Sequence, residues 1–200
     1  MHNDIPSSPA SIVPAANDYE GWRLHWQARG MPWRTEPEID KERQQYLAER
    51  QVIESDIEKA IYPFFDVAEK VHIRLDRADV EWLLAEHLSR GKSGTVSGAV
   101  SWANEQQGER KGLDLRGADL QAVNLRGLPL AGLRAGLTYD ERRREPLRLR
   151  ENAVVNVQDA DLSESCLQGA TFSRAHCERA LFRNSNLSGV TANFPLHSIG

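Results

Sequence analysis

Between residues 113 and 132 the chain repeats every five residues. Leu115, Leu120, Leu125 and Leu130 mark the beat, and Leu113, Ala118, Val123 and Leu128 stand two residues before them. A helix face repeats near 3.6 residues and a strand near 2, so neither accommodates this pattern. The residue between each pair is Asp114, Asp119, Asn124 or Pro129, and Gly117, Ala122, Gly127 and Gly132 follow two residues after each centre. The beat returns with centres at Val157, Leu162, Leu167, Phe172, Cys177, Phe182, Leu187 and, more weakly, Ala192. Two residues before them lie Val155, Ala160, Ser165, Ala170, Ala175, Ala180, Ser185 and Val190.

Two inward positions per five residues suit a chain that turns a corner after each unit, so that four units close one square coil. Large Leu and Phe then fill the middle and small residues the narrower places. Gly117, Gly127, Gly132, Gly169 and Gly189, with Asp159 and Asn184, share one phase of the repeat. They are residue types that tolerate a tight turn. Coils stack through backbone hydrogen bonds, and each buries its apolar side chains only against its neighbours.

The triplets Ala118-Asp119-Leu120, Val123-Asn124-Leu125, Ala160-Asp161-Leu162 and Ser185-Asn186-Leu187 resemble the A(D/N)LXX motif of the pentapeptide repeat family. The resemblance covers roughly 113–132 and 153–194. It implies a right-handed quadrilateral β-helix, hence a mainly β fold, and a family of diverse functions.

The remaining organisation follows from helix and turn signals. Residues 1–16, rich in Pro and Ser, read as a disordered leader with no signal-peptide pattern. Residues 17–72 read as a helical region that caps the coil, opened by capping boxes at Asn17–Glu20 and Thr35–Glu38. The β-helix is expected over 73–194, with a first edge at Leu75 and at Ala78-Asp79-Val80. Excursions interrupt it at 81–112, which begins as the helix EWLLAEHLSR, and at 133–153. The second contains a capping box, Thr138 to Glu141, that predicts a short helix ended by Pro146. Residues 195–200 are a tail.

Composition limits the function. A formal net charge of −4 on 200 residues argues against wrapping nucleic acid or binding an anionic membrane. No apolar run reaches the roughly 18 residues of a membrane span. Cys166 and Cys177 have no metal or redox spacing and read as reduced thiols of a cytoplasmic protein. GKSGT at 91–95 lacks the first glycine of a phosphate loop, since Glu86 occupies that position. The six histidines are scattered, and no nucleophile, acid/base or metal set is specified. No cofactor and no enzymatic activity are therefore expected.

Two groups of residues are candidates for binding a protein partner. Arg142, Arg143, Arg144, Arg148 and Arg150 form a basic protrusion, although a solvated charge run is the plainer reading. Trp22, Trp26 and Trp33 are either core or a partner-binding face. Phe182, Leu187 and Leu196 are expected to form an end that a second copy of the chain covers. The sequence thus points to a non-catalytic protein–protein interaction scaffold with an unidentified partner.

The alternative comes from the resemblance, since some family members mimic duplex DNA, bind gyrase and confer resistance to quinolones or peptide toxins. It is the weaker reading. Residues 113–194 hold 11 basic and 10 acidic side chains, whereas duplex DNA carries one negative charge per about 1.7 Å.

Overall fold

A computed structural model describes residues 13–89, 112–144 and 147–192. The leader up to residue 12, the GKSGT segment, Pro146 and the tail with Leu196 lie outside the described residues. The chain divides into two compact units, the first ending at Pro37 and the second running from Glu38.

The first unit contains helix α1 (Tyr19–Gln27). Its cap is Asp18, one residue beyond the Asn17 expected, and the Asp18 carboxylate accepts from the Gly21 N–H at 2.8 Å. Trp22 and Trp26, four residues apart, share one buried face of this helix.

The second unit begins with α2 (Lys41–Gln51), capped by Asp40, whose carboxylate accepts from the Arg43 N–H. The helix starts later than the Thr35 box predicts, because Asp40 offers a closer cap past Pro37. It also ends earlier, at Gln51. Val52 and Ile53 are β-branched, and the Asp56 carboxylate then accepts from the Glu58 and Lys59 N–H groups to form a turn.

Strands β1 (Phe65–Asp66) and β2 (Val71–Arg74) form an antiparallel hairpin. Next comes α3 (Arg77–Ser89), so Ala78-Asp79-Val80 is the start of a helix and not a coil unit. The reason is a reciprocal cap: Asp76 Oδ1 accepts from the Asp79 N–H at 2.9 Å, and Asp79 Oδ2 accepts from the Asp76 N–H at 3.1 Å. Arg43 clamps the buried Asp79 with two hydrogen bonds of 2.9 and 2.7 Å. Arg77 joins α3 to the coil by donating to the carbonyls of Asn124 and Arg126.

From Leu113 the five-residue units stack in four columns. Strand β3 (Ala118–Asp119) pairs in parallel with β2, at Ile73 with Ala118 and Arg74 with Asp119. Bridges continue that column through Asn156 and His176. The other columns are Asn124–Asp161–Leu181, Pro129–Cys166–Asn186 and Asp114–Arg134–Thr171–Thr191, all parallel. Partners such as Asp161 and Leu181 are 20 residues apart, one turn of four units. Across the insertion the step is 37, as from Asn124 to Asp161, which leaves 17 residues for the excursion.

That arithmetic corrects the expected boundary. Leu133-Arg134-Ala135 is a fifth unit of the first register, with Leu133 and Ala135 buried, and the excursion leaves the coil after it. It comprises α4 (Tyr139–Arg144) and a 3₁₀ helix (Leu147–Ala153). Its two ends, Leu137 and Ala153, are anchored in an apolar cluster with Ala60, Tyr62 and Phe65.

The corner is a type II turn. The N–H three residues after a centre returns to the centre's carbonyl, as from Ala118 to Leu115 at 3.0 Å and from Ala160 to Val157 at 3.0 Å. The third turn residue then needs positive φ. Gly117, Ala122, Gly127, Gly132, Asp159, Glu164, Gly169, Arg174, Arg179, Asn184 and Gly189 hold that place with φ from 57° to 82°.

The Asp/Asn of the motif stabilises the same corner. Its side-chain oxygen accepts from the N–H two residues on, from Asp119 to Gln121, Asn124 to Arg126, Asn156 to Gln158, and Asp161 to Ser163. Serines at inward positions are satisfied by an earlier coil: Ser165 Oγ donates to the Leu125 carbonyl at 2.8 Å.

Regular strand is scarce, contrary to a mainly β expectation, and helices outweigh it. Each side of the square holds only about two extended residues before the next turn, so pairing consists of isolated bridges instead of long ladders. The helical N-terminal part is as expected.

Candidate functional site

The most chemically loaded place in the second unit is the column that begins at Asp114. Arg116, without solvent exposure, donates to Asp114 Oδ2 at 2.6 Å and to Glu141 Oε1 at 3.1 Å. Arg134, one coil later, donates to the same two carboxylates at 3.2 and 2.6 Å. Two arginines and two carboxylates therefore alternate in a ring that ties the first residues of α4 to two successive coils. Tyr62 lies against it, with its ring 5.2 Å from the Arg116 guanidinium, and Ser55 Oγ donates to Asp114 at 3.1 Å.

Burial works to raise both carboxyls. For Asp114, the hydrogen bonds and charge of Arg116, aided by Arg134, outweigh it and hold the group below the ordinary carboxylate range. For Glu141, the Thr138 N–H and the two arginines do the same. Glu141 is also half of the expected capping box: Thr138 N–H donates to Glu141 Oε2 at 2.8 Å, and Glu141 N–H to Thr138 Oγ1 at 3.3 Å.

Beside the ring is a cavity of about 450 Å³, lined by residues that include Gln51, Glu54, Ser55, His87, Asp114 and Arg134. The sequence reading missed this constellation. Its members come from α2, the 54–55 turn, α3, the coil and α4, and no local spacing connects them.

The predicted basic protrusion is partly assembled. Arg142, Arg143 and Arg144 follow one another on α4, and the first two guanidiniums lie 5.8 and 6.0 Å from the ring of the exposed Tyr139. Among the described residues none of the three forms an ion pair, whereas Arg74, Arg116, Arg126, Arg134, Arg174 and Arg179 all do. Arg150 is separate from them, half-buried on the 3₁₀ helix and engaged there. The Arg148 backbone lies on the same 3₁₀ helix, and its side chain is outside the description.

Trp22 and Trp26 are core residues of the first unit instead of a partner-binding face. Trp22 and Trp26 are each about 5% exposed and stacked with centroids 5.8 Å apart. Their indole N–H groups are satisfied by the carbonyls of Ala15 and Glu36, and Arg34 caps the Trp26 ring at 3.6 Å. Trp33 is half-buried. At the last coil Phe182 is half-buried edge-on to Phe172, while Leu187 is 46% exposed. Both cysteines are free, and burial pushes the Cys177 thiol up to about 12, which leaves it unreactive.

Among the described residues no helix is long and apolar enough to cross a membrane, and no cluster of His, Cys, Asp and Glu is suited to a metal.

Five-residue units with a left-handed corner, stacked in register every 20 residues, define a repeat protein. Residues 160–193 match the model of the Pentapeptide repeats, in 8 copies. The chain thus carries the repeat that defines that family, and the units from Leu113 to Ala135 extend the same geometry outside the matched range. A similar solved structure is HetL, a pentapeptide repeat protein involved in heterocyst differentiation regulation from the cyanobacterium Nostoc sp. Identity is 24%, coverage is 44% of this chain and 39% of HetL, and the TM-score is 0.16. The chain thus spans well under half the length of that protein. No curated protein matches the sequence.

Proposed function

We propose that this chain is a non-catalytic protein–protein interaction scaffold whose coil is a right-handed quadrilateral β-helix and whose insertion offers the binding face to an acidic protein surface. One observation carries the reading: Arg142, Arg143 and Arg144 lack ion pairs among the described residues, on a helix whose first turn is held to the coil through Glu141. A held helix presents its charges with little ordering entropy left to lose on binding. The setting is cytoplasmic, and the open last coil around Phe182 and Leu187 is the contact for a second copy.

The gyrase reading has less support. Among the described residues the longest columns of the coil have four members, as from Arg74 to His176. That is about 15 Å at the usual strand spacing, short for a mimic of duplex DNA, and the coil is not acidic.

The test is capture of a partner from the native host by the full chain and by the variant with Arg142, Arg143 and Arg144 all changed to Glu. A single stable protein retained by the first and lost by the folded second supports the proposal. Equal retention by both overturns it. Protection of gyrase from a quinolone in a supercoiling assay would favour the alternative.

A further inference from the structure

We infer that the open edge of the last coil pairs with the same edge of a second copy through main-chain hydrogen bonds, with the two coils antiparallel, and that assembly stops at two. The inference rests on the proposed end-to-end contact and specifies its geometry.

The bonds between coils show what an edge offers. In each unit the N–H of the centre, the N–H two residues after it and the carbonyl two residues before it face the coil that follows. Leu162 N–H donates to the Leu181 carbonyl at 2.8 Å and Glu164 N–H to the Arg183 carbonyl at 2.8 Å, while the Ala160 carbonyl accepts from the Leu181 N–H at 2.9 Å. One coil later the corresponding groups have no main-chain partner among the described residues. They include the N–H groups of Phe182 and Leu187 and the carbonyls of Ala180 and Ser185. A strand edge with unmet donors and acceptors is a template for another chain.

The first edge of the coil does not supply that chain. The carbonyls that a preceding coil would use are taken on three sides. Arg77 donates to those of Asn124 and Arg126 at 3.0 and 3.1 Å. Leu75 N–H donates to Asp119 at 3.0 Å and the Arg74 guanidinium to Gln121. Phe64 N–H donates to Arg116 at 3.0 Å. On the fourth side Pro129 has no N–H to give. Head-to-tail stacking, the heterologous contact that grows filaments, is therefore closed, and another last edge is the partner left.

Two identical edges related by a two-fold axis across the coil run antiparallel. The N–H of a centre then meets, in the second copy, the carbonyl two residues before a centre, and the reverse, as in an antiparallel ladder. The same arrangement lays large inward side chains over small ones. Phe182 and Leu187 are large, whereas Ala175, Ala180 and Ser185 are small.

The measurement is residue-resolved amide hydrogen exchange on the native chain and on Leu187→Glu. Leu162, bonded within one copy, reports that the variant is folded. In the antiparallel contact the Phe182 N–H is bonded, but the N–H of Asn184, two residues after the centre, has no carbonyl opposite it. In a head-to-tail stack both would be bonded, as Leu162 and Glu164 are. Phe182 is expected to exchange about 100-fold more slowly in the native chain than in the variant, with Asn184 unchanged and no species above the dimer in sedimentation. A native dimer in which Phe182 exchanges as fast as in the variant overturns the inference and leaves the end-to-end contact as one of side chains. Protection of Asn184 together with Phe182, or growth beyond two copies, overturns it in favour of head-to-tail stacking. A native chain that stays monomeric removes the end-to-end contact itself, and the inference with it.

Discussion

Arg116 Nη1 lies 3.1 Å from Glu141 Oε1, and through this contact a fully buried guanidinium at the first corner of the coil holds the start of the inserted helix. Removing one member of a buried charge set leaves the others uncompensated. Arg116→Met is therefore expected to destabilise the second unit by about 3–5 kcal/mol. Glu141→Gln keeps an acceptor and a similar shape, and about 1–2 kcal/mol is expected. Urea unfolding of the two variants checks the order; equal losses would contradict it, since neutralising Glu141 would then cost as much as removing the guanidinium.

The same ring makes stability depend on acid. Asp114 and Glu141 both have folded-state pKa values below their unfolded ones, which lie near 3.9 and 4.3. Their contribution is complete above the unfolded values and is lost as pH falls through the folded ones. Other depressed carboxylates, such as Asp66 and Asp161, respond in the same direction. The informative measurement is therefore a difference: thermal midpoints of the native chain and of the Asp114→Asn, Glu141→Gln double variant from pH 7 to pH 3. The gap between them should begin to narrow below about pH 4, where the unfolded chain's carboxylates take up protons, and go on narrowing as pH falls toward the lower folded-state values. A gap that stays constant would rule the ring out as its source.

The coil was legible in the sequence because its physics is local. Each unit supplies its own inward pair, its own Asx contact and its own corner, so Leu120, Asp119 and Ala122 read correctly without knowledge of any distant residue. Sequence reasoning failed where tertiary competition decides. Ala78-Asp79-Val80 fits a unit, but it also fits the first turn of a helix, and the Asp76–Asp79 cap together with the Arg43 clamp selects the helix. Leu133-Arg134-Ala135 has Arg where the motif has Asp or Asn, and only its bridges to Asp114 and Thr171 place it in the coil. The charge ring and cavity were invisible for a different reason: Ser55, Asp114 and Glu141 are brought together by stacking and by the return of the insertion. No periodicity records that.

The corners allow a steric term to be separated from a conformational one. Gly127 has φ +72° and open space where a Cβ would stand, so Gly127→Ala pays only for the left-handed backbone, about 1–2 kcal/mol. At Gly117, with φ +82°, a Cβ would stand 2.6 Å from the Phe65 backbone nitrogen. Gly117→Ala must therefore displace β1 and is expected to be clearly the more damaging. Conversely, the exposed Ala122 has φ 59°, and Ala122→Gly is expected to stabilise by up to about 1 kcal/mol. Chemical denaturation of the three variants tests the ranking, and a destabilising Ala122→Gly would contradict the strain argument.

The last coil supplies the final prediction. At the inward positions of this coil Leu187 is 46% exposed and Phe182, edge-on to Phe172, is only half-buried. In earlier coils the corresponding Leu162 and Leu167 are fully buried because another coil covers them. The proposed second copy would provide that cover, so the native chain is expected to sediment as a dimer with a concentration-dependent mass. Leu187→Glu places a charge at the centre of the contact and is expected to give a folded monomer, because the side chain already faces solvent within one copy. Leu162→Glu buries the same charge inside the coil and is expected to prevent folding. A native chain that remains monomeric over the whole concentration range, with Leu187→Glu indistinguishable from it, would falsify the proposed end-to-end contact.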